Sequence, residues 1–264
     1  MDICDDLAAL RGAARDAGAV ALRFFRSDLK TWTKGHDDPV SEADIAVDKL
    51  LHERLSAARP AYGWLSEETE DNADRLTRRH VWIVDPIDGT RAYIEGRPEF
   101  TIAAAMVEDG RPKAAVVFNP ATDEFFEAFT GGGARLNGRP ISVSGKSDLN
   151  GARFLASSRT VRRAVDRLVA TPATFDSVNS VAYRLALVAA GRYDATMSFG
   201  NKSDWDLAAA DLIVTEAGGI LSDTDGNTLT YNGKTARHPS LIGAGPAMHG
   251  LLHALINSIE WPSQ

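Results

Sequence analysis

The stretch HVWIVDPIDGTRAY, His80 to Tyr93, constrains this chain more than any other: a buried apolar strand runs straight into two carboxylates, Asp85 and Asp88, and turns at Gly89. Asp-Gly is ordinary turn chemistry. It is equally a way to hold a hard cation, because Mg²⁺ takes oxygen ligands. In an extended strand, residues three apart point to opposite faces. Asp85 and Asp88 therefore share one ion only if the chain turns between them, which Pro86 and the Asp88-Gly89 pair both favour.

The rest of the sequence supplies a packed body around that stretch. At 264 residues, 44% of them hydrophobic, the chain is long enough to bury a sizeable core without cross-links. Cys4 is the only cysteine, which excludes an intrachain disulfide and a cysteine zinc cluster. The formal net charge of -7 argues against a general nucleic-acid binder. No apolar run is long enough to cross a bilayer. The N-terminal MDICDDLAALRGAARDAGAV has neither a basic leader nor a continuous apolar core, so a secretory signal is not expected. A soluble cytoplasmic protein, with no membrane or nucleic-acid partner, is the expectation.

Apolar residues recur at helical spacing from Asp5 to Phe25. RSDLKTWTKGHDDP follows as a loop or hairpin. Ser41 with an acid three residues on, Asp44, reads as a capping box opening a second helix that Pro60 ends. YGWLS and VWIVD read as short strands, and Phe100 to Phe129 as a β-meander broken at Asp-Gly, Asn-Pro and a triple glycine. Beyond about residue 150 strands and helices alternate. ARFLASS is a strand, TVRRAVDRLVA and NSVAYRLALVAAG are helices, and RYDATMS is a strand. DWDLAAADLIVTEAGG is a helix stopped at Gly218 and Gly219, followed by a strand near Leu241 and a helix from Pro246 to Ile259. No linker divides the chain. The expectation is one α+β domain over 1–264, with intimately packed sub-regions of about 1–150 and 151–264.

Acids recur at the ends of these elements: Glu67 and Glu68 after one strand, Asp85 and Asp88 after another, Asp204 and Asp206 at a helix start. An acid in a first helical turn is usually there for the helix dipole. The recurrence is what points to a site. Converging carboxylates raise one another's pKa, and divalent cations are the common remedy, two of them clamping a phosphate during in-line displacement. Thr90, at a helix start, reads either as an ordinary cap or as a hydroxyl that orients a water. The D-x-x-D spacing argues against phosphatases of the haloacid dehalogenase type, whose strand ends in D-x-D-G-T and carries a covalent nucleophile. The six histidines show no metal-binding pairing.

WIVDPIDGT, LSEET, DWDLAAADLIVTEAGG and KGHDDPVSEAD resemble the motifs of the inositol monophosphatase family, and they occur in the family's order along nearly the whole chain. The resemblance implies a layered αβαβα sandwich, commonly a homodimer. It also implies lithium-sensitive hydrolysis of a phosphate monoester with two or three Mg²⁺ ions. By the same resemblance Glu67, Asp85 and the Ile87 carbonyl hold one ion, and Asp85, Asp88 and Asp206 a second. Thr90, Glu67 and Asp44 orient the attacking water, Gly89 and Thr90 present backbone N–H groups to the phosphate, and Lys34 lies in a mobile covering loop.

Two positions depart from the usual pattern. DGTRAY replaces the family's DGTTNF, placing Arg91 beside the phosphate turn, and Arg184 stands where bisphosphate nucleotidases carry Lys. Both arginines suit either a second phosphate, which Arg grips bidentately, or surface ion pairs. 3′(2′),5′-Bisphosphate nucleotidase and histidinol-phosphate phosphatase activities are thus alternatives to inositol monophosphatase. Asp204 reads as a contact to a substrate hydroxyl or as a capping acid. A third possibility is a regulator binding the transcription machinery.

Overall fold

A computed structural model describes residues 3–34, 38–157 and 173–258. Helix α1 (Ile3–Phe24) leads into a hairpin of β1 (Thr31–Lys34) and β2 (Asp38–Ser41), and Ser41 caps α2 (Glu42–Ala58). A seven-stranded sheet follows in sequence order: β3 (Gly63–Ser66), β4 (His80–Asp88), β5 (Thr101–Glu108), β6 (Arg111–Asn119), β7 (Glu124–Phe129), β8 (Ala134–Leu136) and β9 (Arg139–Pro140). The short helix α3 (Thr90–Ile94) interrupts it after β4. β5, β6 and β7 form the expected antiparallel meander.

The second half contributes β10 (Arg153–Ala156), β11 (Thr174–Ser177), helix α4 (Val181–Ala189) and β12 (Ala195–Ser198). Then come β13 (Lys202–Ser203), helix α5 (Asp204–Glu216), β14 (Ile220–Ser222), β15 (Arg237–His238), β16 (Leu241–Ala244) and helix α6 (Pro246–Ser258). The order β11-β10-β12-β16-β14 makes a five-stranded mixed sheet. The expected helix TVRRAVDRLVA and the loop after Lys34 lie outside the described residues. Among the described residues no helix is long and apolar enough to cross a membrane.

Side-chain alternation sorts these elements into layers. Along β4, Trp82 and Val84 face α1 and α2, joined by Ile102, Ala104 and Met106 of β5. Val81 and Ile83 face the opposite way, with Ala103, Ala105 and Val107, onto α4 and α5. A strand covered on both faces reads as a continuous apolar run rather than an alternating one, which is why VWIV carries no polar residue. Leu155 and Leu241 close the α4/α5 layer from the five-stranded sheet. Phe154, Met197 and Ile242 on that sheet's other face pack on Met248 and Leu252 of α6. The stack is helix, sheet, helix, sheet, helix, as the family resemblance implies. Helix α4 is buried along its whole length.

Two details of register place the site. β3 and β4 are parallel, with Ser66 opposite Val84, so both strands deliver their next residue to the same edge. Between β4 and β5 the pairing shifts: Asp85 faces Ala103, but Asp88 faces Thr101. Three residues on one strand oppose two on the other, a β-bulge that breaks the strand's period. The chain thus does not turn between Asp85 and Asp88. The bulge brings them together instead, and the turn follows at Gly89, whose φ of 101° is left-handed.

Candidate metal centre

The parallel ends of β3 and β4 put Glu67 beside Asp85, the bulge adds Asp88, and the first turn of α5 adds Asp206. Ligand oxygens of Asp85, Asp88 and Asp206 lie within 4.8 Å of one another, the one such acidic or histidine group among the described residues. These acids, with Ile87, Gly89, Thr90 and Arg91, line a cleft of about 300 Å³. Pro39 of the hairpin, Asn179 and Lys202 complete its wall.

Each acid is held differently. Asp88 accepts hydrogen bonds from Ser180 Oγ (2.6 Å), the Ala182 N–H (2.6 Å) and the Val181 N–H (3.1 Å), so it sits on the N-terminus of α4. Burial raises its pKa, and those donors together with Arg184 oppose the rise. Asp206 accepts from the Ser203 N–H at 2.6 Å in a capping box. Burial, then Asp88, push it up to about 6. Asp85 is pushed well above the carboxylate range by burial, followed by Glu67, Asp88, Asp206 and Asp44. Its Oδ1 is buried with no hydrogen-bond partner among the described residues.

Asp44 closes the expected capping box, accepting from the Ser41 N–H (2.8 Å) and Ser41 Oγ (2.5 Å) through Oδ2. Its Oδ1 faces Thr90 Oγ1 at 3.1 Å, and burial raises its pKa. Thr90 Oγ1 is also 3.0 Å from the Ile87 carbonyl. A hydroxyl has one proton, so it serves one of these acceptors at a time.

Asp44 stands behind Thr90 rather than in the cleft wall, and Arg184, Asp204 and Lys34, also singled out in the sequence, are not in that wall either. Arg184 is fully buried in α4, donates Nη1 to the Val178 carbonyl at 2.8 Å, and leaves Nε and Nη2 without hydrogen-bond partners among the described residues. Burial depresses its pKa to about 10, against the pull of Asp88 and Asp206. It faces no solvent-exposed acid, so the surface-pair reading of Arg184 does not hold either. Asp204 is also fully buried, accepting from the Asn232 N–H at 2.6 Å and meeting His238 Nε2 at 2.8 Å. Lys34 pairs with Glu68 at the end of the hairpin. Sequence reasoning missed Asn179, Ser180 and Lys202. Ser180 was findable, because a Ser directly before the apolar run VAYRLALVA is an N-cap signal; Lys202 carries no such signal.

The donor set is all oxygen, crowded, and raised in pKa by burial and, at Asp85 and Asp206, by neighbouring carboxylates, with one oxygen orphaned. A hard divalent cation fits it; a soft or nitrogen-seeking metal does not. A profile of the inositol monophosphatase family matches residues 5–261. The chain is 38% identical over 224 residues to the Nus factor SuhB of Xylella fastidiosa, covering 81% of this chain and 80% of the relative. It is 37% identical over 224 residues to the inositol-1-monophosphatase of Rhizobium meliloti, covering 82% and 81%. Among solved structures, the extragenic suppressor protein suhB of Bartonella henselae superposes with a TM-score of 0.84 at 31% identity, covering 94% of this chain and 96% of that one. Sequence, fold and the arrangement of acids agree: the chain belongs to the inositol monophosphatase family.

Proposed function

We propose that the protein hydrolyses a small-molecule phosphate monoester with Mg²⁺ held by Glu67, Asp85, Asp88, Asp206 and the Ile87 carbonyl. The observation that carries this reading is the buried, unpartnered Asp85 Oδ1 among carboxylates that raise its pKa. Two or three bound Mg²⁺ ions would supply the Lewis acidity that activates water and offsets phosphoryl charge. The chain's own groups do the positioning. Thr90, donating its proton to Asp44 or to the Ile87 carbonyl, turns its lone pairs outward to orient the attacking water. Glu67 in the cleft wall takes that water's proton. Backbone N–H groups at Gly89 and Thr90, with Arg91 and Lys202, surround the phosphate. Such chemistry rests on positioning and charge and needs no covalent nucleophile. The sub-regions of about 1–150 and 151–264 act as one domain, the first giving Glu67, Asp85 and Asp88 and the second Asp206.

Inositol 1-phosphate is the substrate this reading favours. Arg91 at the cleft keeps a bisphosphate or histidinol phosphate as the alternative, whereas Arg184, which is not in the cleft wall, does not add to it. Phosphate release from inositol 1-phosphate, adenosine 3′,5′-bisphosphate and histidinol phosphate, with and without Mg²⁺ and lithium, tests it, with Asp88→Asn as the blank. Equal rates in the wild type and the blank on all three substrates would refute it. A second reading has its own support: relatives named Nus factor SuhB match as well as those named for the phosphatase. On that reading a cytoplasmic homodimer binds a protein of the transcription machinery. Cellular function retained by Asp88→Asn would favour it.

A further inference from the structure

We propose that Asp48 is a positioning residue that sets the metal-binding Glu67 in place, an inference that rests on the metal-dependent reading above. Asp48 lies one helical turn beyond Asp44 on the buried face of α2, 7% exposed. Residues four apart lie on one face of a helix, so the same face of α2 addresses two arms of the site. Asp44 meets Thr90 after β4. Asp48 meets the segment after β3.

Its two oxygens bracket Glu67. Ser66 Oγ donates to Oδ1 at 2.5 Å and Thr69 Oγ1 donates to Oδ2 at 2.7 Å. Each hydroxyl is in turn an acceptor: Ser66 Oγ from the Glu68 N–H at 3.4 Å, and Thr69 Oγ1 from Trp64 Nε1 at 3.3 Å. An ionised carboxylate only accepts. It therefore points both hydroxyl protons inward and leaves both oxygens to receive the Glu68 backbone N–H and the Trp64 indole N–H. Four hydrogen bonds run in one direction across residues 64–69, with Glu67 between the two anchored hydroxyls. Helix α2 does not require an acid here for its own stability, since a buried carboxylate is costly unless it is hydrogen-bonded. An uncharged residue would fill the volume. What the charge provides is a fixed orientation of the Glu67 loop. The Glu68 side chain, bound to Lys34, extends the same loop to the β1–β2 hairpin.

Partners that orient a ligand without touching the metal typically change metal affinity by about 10–100-fold when removed. The test is a calorimetric titration of the full chain with Mg²⁺ for the wild type, Asp48→Asn and Ser66→Ala. Hydrogen exchange of the 64–69 peptide in EDTA and phosphate release against Mg²⁺ concentration accompany it. Asp48→Asn puts an amide donor against one hydroxyl, and it is expected to weaken Mg²⁺ binding at least about tenfold. Exchange at Glu68 should rise, while kcat at saturating Mg²⁺ falls by a smaller factor than the Mg²⁺ affinity does, a split that a general loss of packing would not give. Ser66→Ala leaves α2 untouched and keeps the test open if Asp48→Asn does not fold. Folded variants whose Mg²⁺ affinity stays within about twofold of wild type overturn the inference alone. A wild type that takes up no Mg²⁺ overturns the metal reading and the inference together.

Discussion

Stripped of divalent ions, this protein should lose stability as the pH rises through the acid range, and Asp206 sets the scale. In the fold its carboxyl holds a proton up to about pH 6, against an ordinary value of 3.8. In the unfolded chain it releases that proton near pH 4. The folded state therefore binds more protons between about pH 4 and pH 6, and stability falls across that window and levels off above it. Two pK units at about 1.4 kcal/mol each amount to about 3 kcal/mol. At this chain length that corresponds to roughly 6–12 °C in Tm. Asp44, Asp85 and Asp88 shift in the same direction and add to the effect. Asp71 and Glu124 shift the opposite way, so the bare slope mixes both kinds of group. Asp206→Asn separates them, because the amide oxygen can still accept from the Ser203 N–H while the titration is gone. Melting in EDTA from pH 4 to pH 7 should show the wild type losing about 3 kcal/mol more than the variant. Adding Mg²⁺ at about 100 times its dissociation constant should return about 2.7 kcal/mol to the wild type at pH 7 and much less to the variant. Parallel pH curves for the two proteins in EDTA would refute the reasoning.

Other perturbations separate the roles of neighbouring residues. Gly89→Ala would place a Cβ 2.9 Å from the Glu99 carbonyl oxygen at a φ of 101°, so a loss of more than about 1 kcal/mol is expected in urea unfolding. Arg91→Ala should cut turnover of a bisphosphate more than that of inositol 1-phosphate. Arg184→Met should lower both alike, because that guanidinium is buried behind Asp88, and a loss confined to the bisphosphate would contradict its placement. Asp204→Asn should cost about 1–3 kcal/mol in thermal melting through its bonds to Asn232 and His238. The same variant should leave kcat within a few-fold, whereas Asp88→Asn abolishes turnover.

What could be read from the residues alone follows physical lines. The proposed ligands Glu67, Asp85, Asp88 and Asp206 stand at element ends, where apolar periodicity stops and a carboxylate begins, so each was visible as a candidate. Ser41 and Asp44 were visible as a capping box. Its second use, beside Thr90, came only through the family resemblance, because the Asp44–Thr90 contact joins residues 46 apart in sequence. The route by which Asp85 meets Asp88 was misjudged as a turn, since Pro86 and Asp-Gly are turn signals and a bulge depends on the partner strand β5. Arg184 looked like a substrate ligand because it stands where bisphosphate nucleotidases carry Lys. The helix is in fact enclosed on every side, sandwiched between two sheets. Asp48 sits mid-helix and resembles a solvated acid until Ser66 at the end of β3 and Thr69 beyond it reach its two oxygens.

The cap that Ser180, Val181 and Ala182 place on Asp88 also has a consequence for biosynthesis. Asp85 and Asp88 leave the ribosome about 95 residues before α4 and about 120 before Asp206. At about 5–20 residues per second, the nascent first half spends roughly 5–20 seconds with its acids assembled on β3 and β4 but without the helix terminus that steadies Asp88. During that interval the growing polypeptide presents an acidic, ion-hungry strand end and an uncovered sheet face. On the proposed metal-dependent reading, full-affinity uptake of an ion would wait for the second half of the chain, which supplies both Asp206 and the cap on Asp88.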